Sequence, residues 1–179
     1  MQIVSNNLGG IFTSETQANL DPSTLGFFLV AVVSFPLAMV NLLEKGAITP
    51  QFFIIIGLCI FLVGAWAWKC NANFGFTVFA LVGAAVFLTG YGMDYWANIA
   101  FAIAFIFAIV WSVFIGAGKN LTLLLVTTAL IFLCVGLSSP DLVGGDYWHW
   151  IIGIVCLGNF ILNFYMACSC AAPEKIKPF

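Results

Sequence analysis

The sequence predicts an all-α integral membrane protein of six transmembrane helices, and three observations lead there. First, 63% of the 179 residues are hydrophobic and 7% are charged. An ordinary soluble domain carries about 25% charged residues, because it must cover its surface with polar groups. Second, six apolar runs, at about 25–43, 51–68, 74–91, 96–116, 121–138 and 147–167, each meet the roughly 17–25 residues that a spanning helix needs. Third, the runs are continuous rather than alternating, which excludes a membrane barrel. The breaks between them are short, so consecutive helices pack antiparallel. One membrane domain over 21–170 fills the chain, between a polar N-terminal tail (1–20) and a C-terminal tail (171–179).

Taken in order, residues 1–20 are rich in Ser, Thr, Asn and Gln and carry neither a basic start nor an apolar core, so they do not read as a signal peptide. The first span holds Pro36 in its interior, which removes a backbone donor and kinks the helix. The carbonyl it frees must find another partner. Glu44-Lys45-Gly46 ends that span, and Lys69-Cys-Asn-Ala-Asn73 ends the second. The third span opens on Phe74-Gly75, where Asn71 or Asn73 is expected to cap the helix and Gly75 to allow a tight turn. Gly92-Met-Asp94, Gly118-Lys-Asn120 and the stretch from Ser138 to Asp146 separate the rest. Gly57, Gly64, Gly83, Ala84, Gly153 and Gly158 are read as points of close helix approach.

All five basic residues are lysines. Lys69, Lys119, Lys175 and Lys177 fall on the side that holds both termini; Lys45, with Glu44, Asp94, Asp141 and Asp146, falls on the other. The positive-inside rule then puts both termini in the cytoplasm of a multi-pass plasma-membrane protein. Trp68, Tyr95, Trp96, Tyr147, Trp148 and Trp150 sit at span ends, as an interfacial aromatic belt requires. His149, the single histidine, is read as part of that belt. With a net charge of −2 and no basic patch, nucleic acid is excluded as a partner.

No Asp, Glu, Lys or Arg lies mid-span. Intramembrane charges mark ion and proton pathways, so their absence argues against a carboxylate-relay pump and a voltage sensor. Neither paired acids, a metal cluster nor a nucleophile–base set is visible, so no enzyme, metal or cofactor is expected. Of the cysteines, only Cys168 and Cys170 are close in sequence, with no His nearby to complete a metal set. The polar residues within the spans are neutral, Ser34, Asn41, Thr77, Thr89, Asn98, Ser112, Thr127, Thr128, Asn159, Asn163 and Tyr165. For Ser and Thr the expectation is bonding across helices. Asn159 and Asn163, one helical turn apart on one face, read equally as pore lining or as packing. Such a bundle suits passive or weakly coupled passage of a small solute.

Asn71-Ala-Asn-Phe-Gly-Phe-Thr-Val-Phe79, followed by Ala-Leu-Val-Gly83, resembles the opening of the third helix in the acetate–succinate transporter family (the YaaH-like acetate uptake transporters). Asp21-Pro-Ser-Thr-Leu-Gly26 resembles that family's Asn-Pro-Ala-Pro-Leu-Gly, matching at Pro22, Leu25 and Gly26. Gly118-Lys-Asn-Leu and Trp150-Ile-Ile-Gly153 follow the same layout, and the similarity runs over about 19–170. The family's glutamate near the end of the second helix is replaced here by Trp and Ala.

The resemblance implies a homo-hexamer with one pore per protomer, passing acetate, succinate and similar small carboxylates as a channel or a proton symporter. It implies an anion site at the starts of the first and third helices (Pro22, Leu25, Gly26, Phe74, Gly75), where helix dipoles and free N–H groups attract a carboxylate. The implied path is Val30, Asn41, Asn73, Thr77, Val82, Leu130, Asn159 and Asn163. Val30, Val82 and Leu130 (or its neighbour Ile131) fall where relatives narrow the pore with Phe, Tyr and Leu, so a wider or relocated gate is expected. A urea or short-amide channel of six-helix hexameric architecture is the alternative, since neutral Asn and Thr linings suit amides equally. A non-transporting partner subunit is a third reading, disfavoured by the lack of a soluble domain.

Overall fold

The computed structural model describes residues 22–177. The tail expected over 1–20, Asp21 and the last two residues of the chain lie outside the described residues. Six helices follow one another, α1 (Ser23–Leu43), α2 (Pro50–Lys69), α3 (Asn73–Thr89), α4 (Tyr95–Phe114), α5 (Lys119–Leu137) and α6 (Trp148–Ala171). Among the described residues there is no strand. Five helices are long and apolar enough to cross a membrane. The sixth, α3, has 17 residues, at the short end of the roughly 17–25 that span a bilayer. The chain is thus a multi-pass membrane protein.

The helix ends follow from local chemistry. α2 starts with Pro50 at its first position, where a missing N–H costs nothing. Asp94 caps α4, its side chain accepting from Ala97 N at 2.7 Å. α6 runs past its expected end to Ala171, where the chain folds back: Ser169 Oγ donates to Ile176 O and Tyr165 Oη to Lys177 O.

The α2–α3 turn corrects one expectation. Neither Asn71 nor Asn73 caps α3, whose N-cap is Ala72 with no side-chain bond, and Gly75 lies inside the first helical turn. The chain turns on Asn71, which sits in the left-handed region at φ 58. Asn71 N donates to Trp68 O and Ala72 N to Ala67 O, both at 2.9 Å. That pair of bonds is a Schellman stop, in which Asn takes the place more often given to Gly. Asn71 ends α2, while Asn73 is the first residue of α3 without capping it.

Each helix packs on its successor and α6 closes back on α1, so the bundle is a ring in chain order. α1 begins and α6 ends at one face, shared with the turns at 70–72 and 115–118; the other three connections lie at the opposite face. The closest joint is α2 against α3. A Cβ built on Gly57 would lie 2.4 Å from Phe87 N, and one on Gly83 would lie 2.6 Å from Phe61 N. The two backbones touch because neither residue has a side chain. Gly158, expected to act in the same way, has nothing within 4 Å of that position.

Outward faces are apolar, with Ile55, Leu58, Leu62, Ile103, Phe107 and Ile154 exposed. Trp68, Trp96, Tyr147 and Trp150 are exposed at helix ends, in the belt positions. His149 lies within the belt, its Nε2 2.7 Å from Glu44 Oε1 at the opposite face.

Candidate functional site

Five of the polar residues of the spans, Ser34, Thr127, Thr128, Asn159 and Asn163, form one cluster across α1, α5 and α6. Asn159 Nδ2 donates to Thr127 Oγ1 and Thr128 Oγ1, each at 2.9 Å. Asn159 Oδ1 accepts from Ser34 Oγ at 2.8 Å and from Asn163 Nδ2 at 2.8 Å. Every donor and acceptor site of this amide is therefore used, and α1, α5 and α6 are joined through one side chain that is 1% exposed. Thr127 and Thr128 both donate back to Leu124 O, which fixes their oxygens as acceptors toward Asn159.

Asn163 is less well served. Its Nδ2 donates to Asn159 O and Oδ1, but its own Oδ1 is buried without a partner. Turning the amide over would set oxygen against two acceptors, so the orientation is forced. An orphaned buried acceptor costs about 1–3 kcal/mol.

Beside this cluster lies a cavity of about 130 Å³, lined from α1, α3, α4, α5 and α6. Val30, Val82 and Val86 form apolar walls, with Ile131 and Phe132 from α5; Ser34, Thr89, Asn98, Thr128 and Asn159 supply the polar groups. It runs from mid-bundle toward the opposite face, since Thr89 ends α3 and Asn98 lies in the first turn of α4. A water needs about 10–15 Å³ of such space, so there is room for several waters or one small solute. No lining residue is charged.

The free valences in this cavity are acceptors. Asn98 Nδ2 donates to Asp94 O at 2.8 Å and to Met93 O at 3.4 Å, leaving Oδ1. Thr89 Oγ1 spends its proton on Ala85 O. What remains for a solute is oxygen lone pairs.

Of the residues expected on the path, the structure brings Val30, Val82 and Asn159 to the cavity, with Asn163 buried one turn beyond. Leu130 is a correction: it is 39% exposed on the outer face of α5, and its neighbour Ile131 lines the cavity instead. One residue is 100° of helix, which is enough to change faces. Asn41 donates to Leu37 O, Asn73 is exposed, and Thr77 bonds back to Asn73 O; none lines the cavity. Nor do the helix-start residues: Pro22 and Gly26 are buried, Leu25 is exposed, and Phe74 packs edge-on against Trp111 near Gly75 at the termini face. Sequence reasoning noted Thr89 and Asn98 but not their convergence, and missed Val86 and Phe132 altogether. Among the described residues no three His, Cys, Asp or Glu side chains come together as a metal would need. Comparison with protein-family models and with curated proteins finds no match for the chain.

Proposed function

We propose that the bundle is a conduit for small polar solutes, and that small carboxylic acids of the acetate and succinate class cross it together with their proton. The observation that carries the reading is the partly enclosed, uncharged cavity whose spare polar groups are acceptors. A carboxylate anion finds no donor there to replace its hydration, whereas a protonated acid has an O–H to give to Asn98 or Thr89. With no buried carboxylate among the described residues, the proton travels on the acid rather than on the protein. The sequence resemblance to acetate–succinate transporters points to the same solute class and to a hexamer. The same lone pairs also suit the N–H groups of urea or a short amide, and this is the second reading.

Flux into proteoliposomes separates the two. Acetate uptake is expected to rise as external pH falls toward the acid's own pKa, with no sodium requirement, while urea uptake stays low. Rapid urea flux with little acetate movement favours the amide reading, and sodium-dependent uptake sinks both.

The lysine distribution supports both termini facing the cytoplasm of the plasma membrane. A cysteine at exposed Lys119, in a Cys70→Ser background, is expected to react with an impermeant maleimide only after the cells are opened. Labelling of intact cells there reverses the topology.

A further inference from the structure

The six helices fall into two units that are held together in different ways. α2 and α3 lie backbone to backbone along much of their length. Beyond the contacts of Gly57 and Gly83, a Cβ on Gly64 would stand 3.0 Å from Ala80 N, and one on Gly90 2.7 Å from Pro50 O. The other four helices are joined by polar bonds. Asn159 ties α6 to α1 and α5, Ser112 Oγ and Thr122 Oγ1 lie 3.0 Å apart between α4 and α5, and His149 meets Glu44 between α6 and α1.

The joint between the two units is loose. α3 touches α1 and α4 far more lightly than it touches α2. Phe79 meets Phe27 of α1 edge to face, with ring centroids 5.4 Å apart, and Phe74 meets Trp111 of α4 at 5.2 Å. Two voids lie along this joint. The cavity has Val82, Val86 and Thr89 of α3 on one side and the Asn159 cluster on the other. An apolar groove of about 370 Å³ lies where Phe52 of α2 faces Phe28 and Phe35 of α1 and Phe160 and Phe164 of α6. Atoms that line a void forfeit their contacts on that side, and elements with few buried apolar contacts are the ones that move.

Connectivity sets the direction in which the joint gives. The α2–α3 hairpin is tied to the four-helix unit by residues 44–49 and 90–94, both at the face opposite the termini. Gly46 at φ 81 and Gly92 at φ 82 sit in these connections, with nothing within 4 Å of their Cβ positions, so backbone rotation there is unobstructed. No connecting segment joins the hairpin's other end, the turn at 70–72, to the four helices.

We infer that α2 and α3 swing as one rigid hairpin about the connections at 44–49 and 90–94, carrying one wall of the cavity with them. A hinge of this kind is a few loop residues that absorb the dihedral change between packed bodies. The swing is a property of the fold; that it serves the passage of a solute rests on the reading of the bundle as a conduit.

Pulsed dipolar electron spin resonance in proteoliposomes reads the swing without reference to any solute. Labels attached to genetically encoded ketone side chains leave the six native cysteines in place. Asn73 with Ala171 spans the joint at the termini face, and Gln51 with Trp150 spans it at the opposite face. Asn73 with Gln51 reports within the hairpin, and Lys119 with Trp150 within the four helices; all five residues are exposed. The Asn73–Ala171 distribution should be broader than the other three. Gly26→Ala supplies a push at the joint, since its Cβ would fall 2.4 Å from Phe79 Cε1, roughly 1 Å inside ordinary contact. Phe79 lies about 15 Å from the hinge end of α3 and Asn73 about 24 Å, at 1.5 Å per residue. The push should therefore lengthen Asn73–Ala171 by about 1.6 Å and leave Gln51–Trp150 unchanged. Retained helical circular dichroism and elution volume establish that the variant is folded; if it is not, the widths in the unaltered protein decide. A joint distance no broader than the others overturns the hinge, as does a folded Gly26→Ala protein in which Asn73–Ala171 is not lengthened or Gln51–Trp150 lengthens equally. If the hairpin swings while neither acetate nor urea moves through the unaltered protein, the hinge stands and the conduit reading falls. Flux through a protein whose joint distance is narrow gives the reverse.

Discussion

Replacing Gly83 by valine is expected to abolish the folded bundle, while Gly158→Ala leaves it intact or firmer. The two glycines look alike in sequence, each an unbranched gap in an apolar run. At Gly83 even a methyl would stand 2.6 Å from Phe61 N and 2.9 Å from Gly57 O. Those are backbone atoms, so no rotamer change can relieve the clash and α2 must leave α3. Membrane helices are held together by van der Waals contact rather than by a hydrophobic drive, and a gap of 0.5–1 Å forfeits about a quarter to a half of each contact. Overpacking in a well-packed core costs about 1–3 kcal/mol, and a branched side chain set against backbone exceeds that. At Gly158 the added methyl meets nothing within 4 Å, so the intrinsic helix preference for Ala, up to about 1 kcal/mol, is free to show. Size-exclusion profile and thermal midpoint in detergent decide it. A monodisperse Gly83→Val protein with an unchanged midpoint would refute the backbone contact.

The second large effect concerns two asparagines one turn apart. Asn159→Leu is expected to cost about 2–5 kcal/mol, because three interhelical bonds are lost at about 0.6–1.7 kcal/mol each. The lower end applies. Ser34 has Val30 O within 2.9 Å as a fallback, and Thr127 and Thr128 keep their bonds to Leu124 O. Solute flux should fall with stability, since Asn159 acts by holding α1, α5 and α6 around the cavity. Asn163→Leu behaves differently. It deletes the orphaned Oδ1 together with two donated bonds, and relief of about 1–3 kcal/mol offsets the loss. Its thermal midpoint should move little, while acetate flux drops. Equal destabilisation by both substitutions would make Asn163 a packing residue only.

The six helices were legible because length and continuity of apolar sequence are what a bilayer selects, and all six expected spans contain a helix. The pairing of Asn159 with Asn163 was legible too, since a spacing of four fixes a shared face without reference to the rest of the fold. The hub around them was not. That Asn159 reaches Thr127 and Thr128 on α5 and Ser34 on α1 depends on how three helices are rotated, which apolar all-round sequences leave unmarked. Leu130 shows the same limit, since one residue of rotation separates it from Ile131. The turn at Asn71 was misjudged for a local reason. Asn serves both as a helix cap and in left-handed stops, and only φ at that residue distinguishes them. The ring pair Phe27–Phe79 depends on a bare patch at Gly26 across another helix, a relation no single segment carries.

The closure of α6 onto α1 has a bearing on how the protein is made. α2 with α3, and α4 with α5, are neighbours both in the chain and in the ring, so each pair can associate as a hairpin soon after it leaves the translocon. α1 cannot complete its contacts in that way. Its Ser34 bonds to Asn159, 125 positions later in the chain. At about 5–20 residues per second of synthesis, the first helix waits roughly 6–25 s in the bilayer before its partner exists. During that interval Ser34 can turn its hydroxyl onto Val30 O, 2.9 Å away on its own helix. The first span therefore carries an internal substitute for the bond it will later make. A charge at that position would have no such shelter, and would invite capture by quality control before the ring could close.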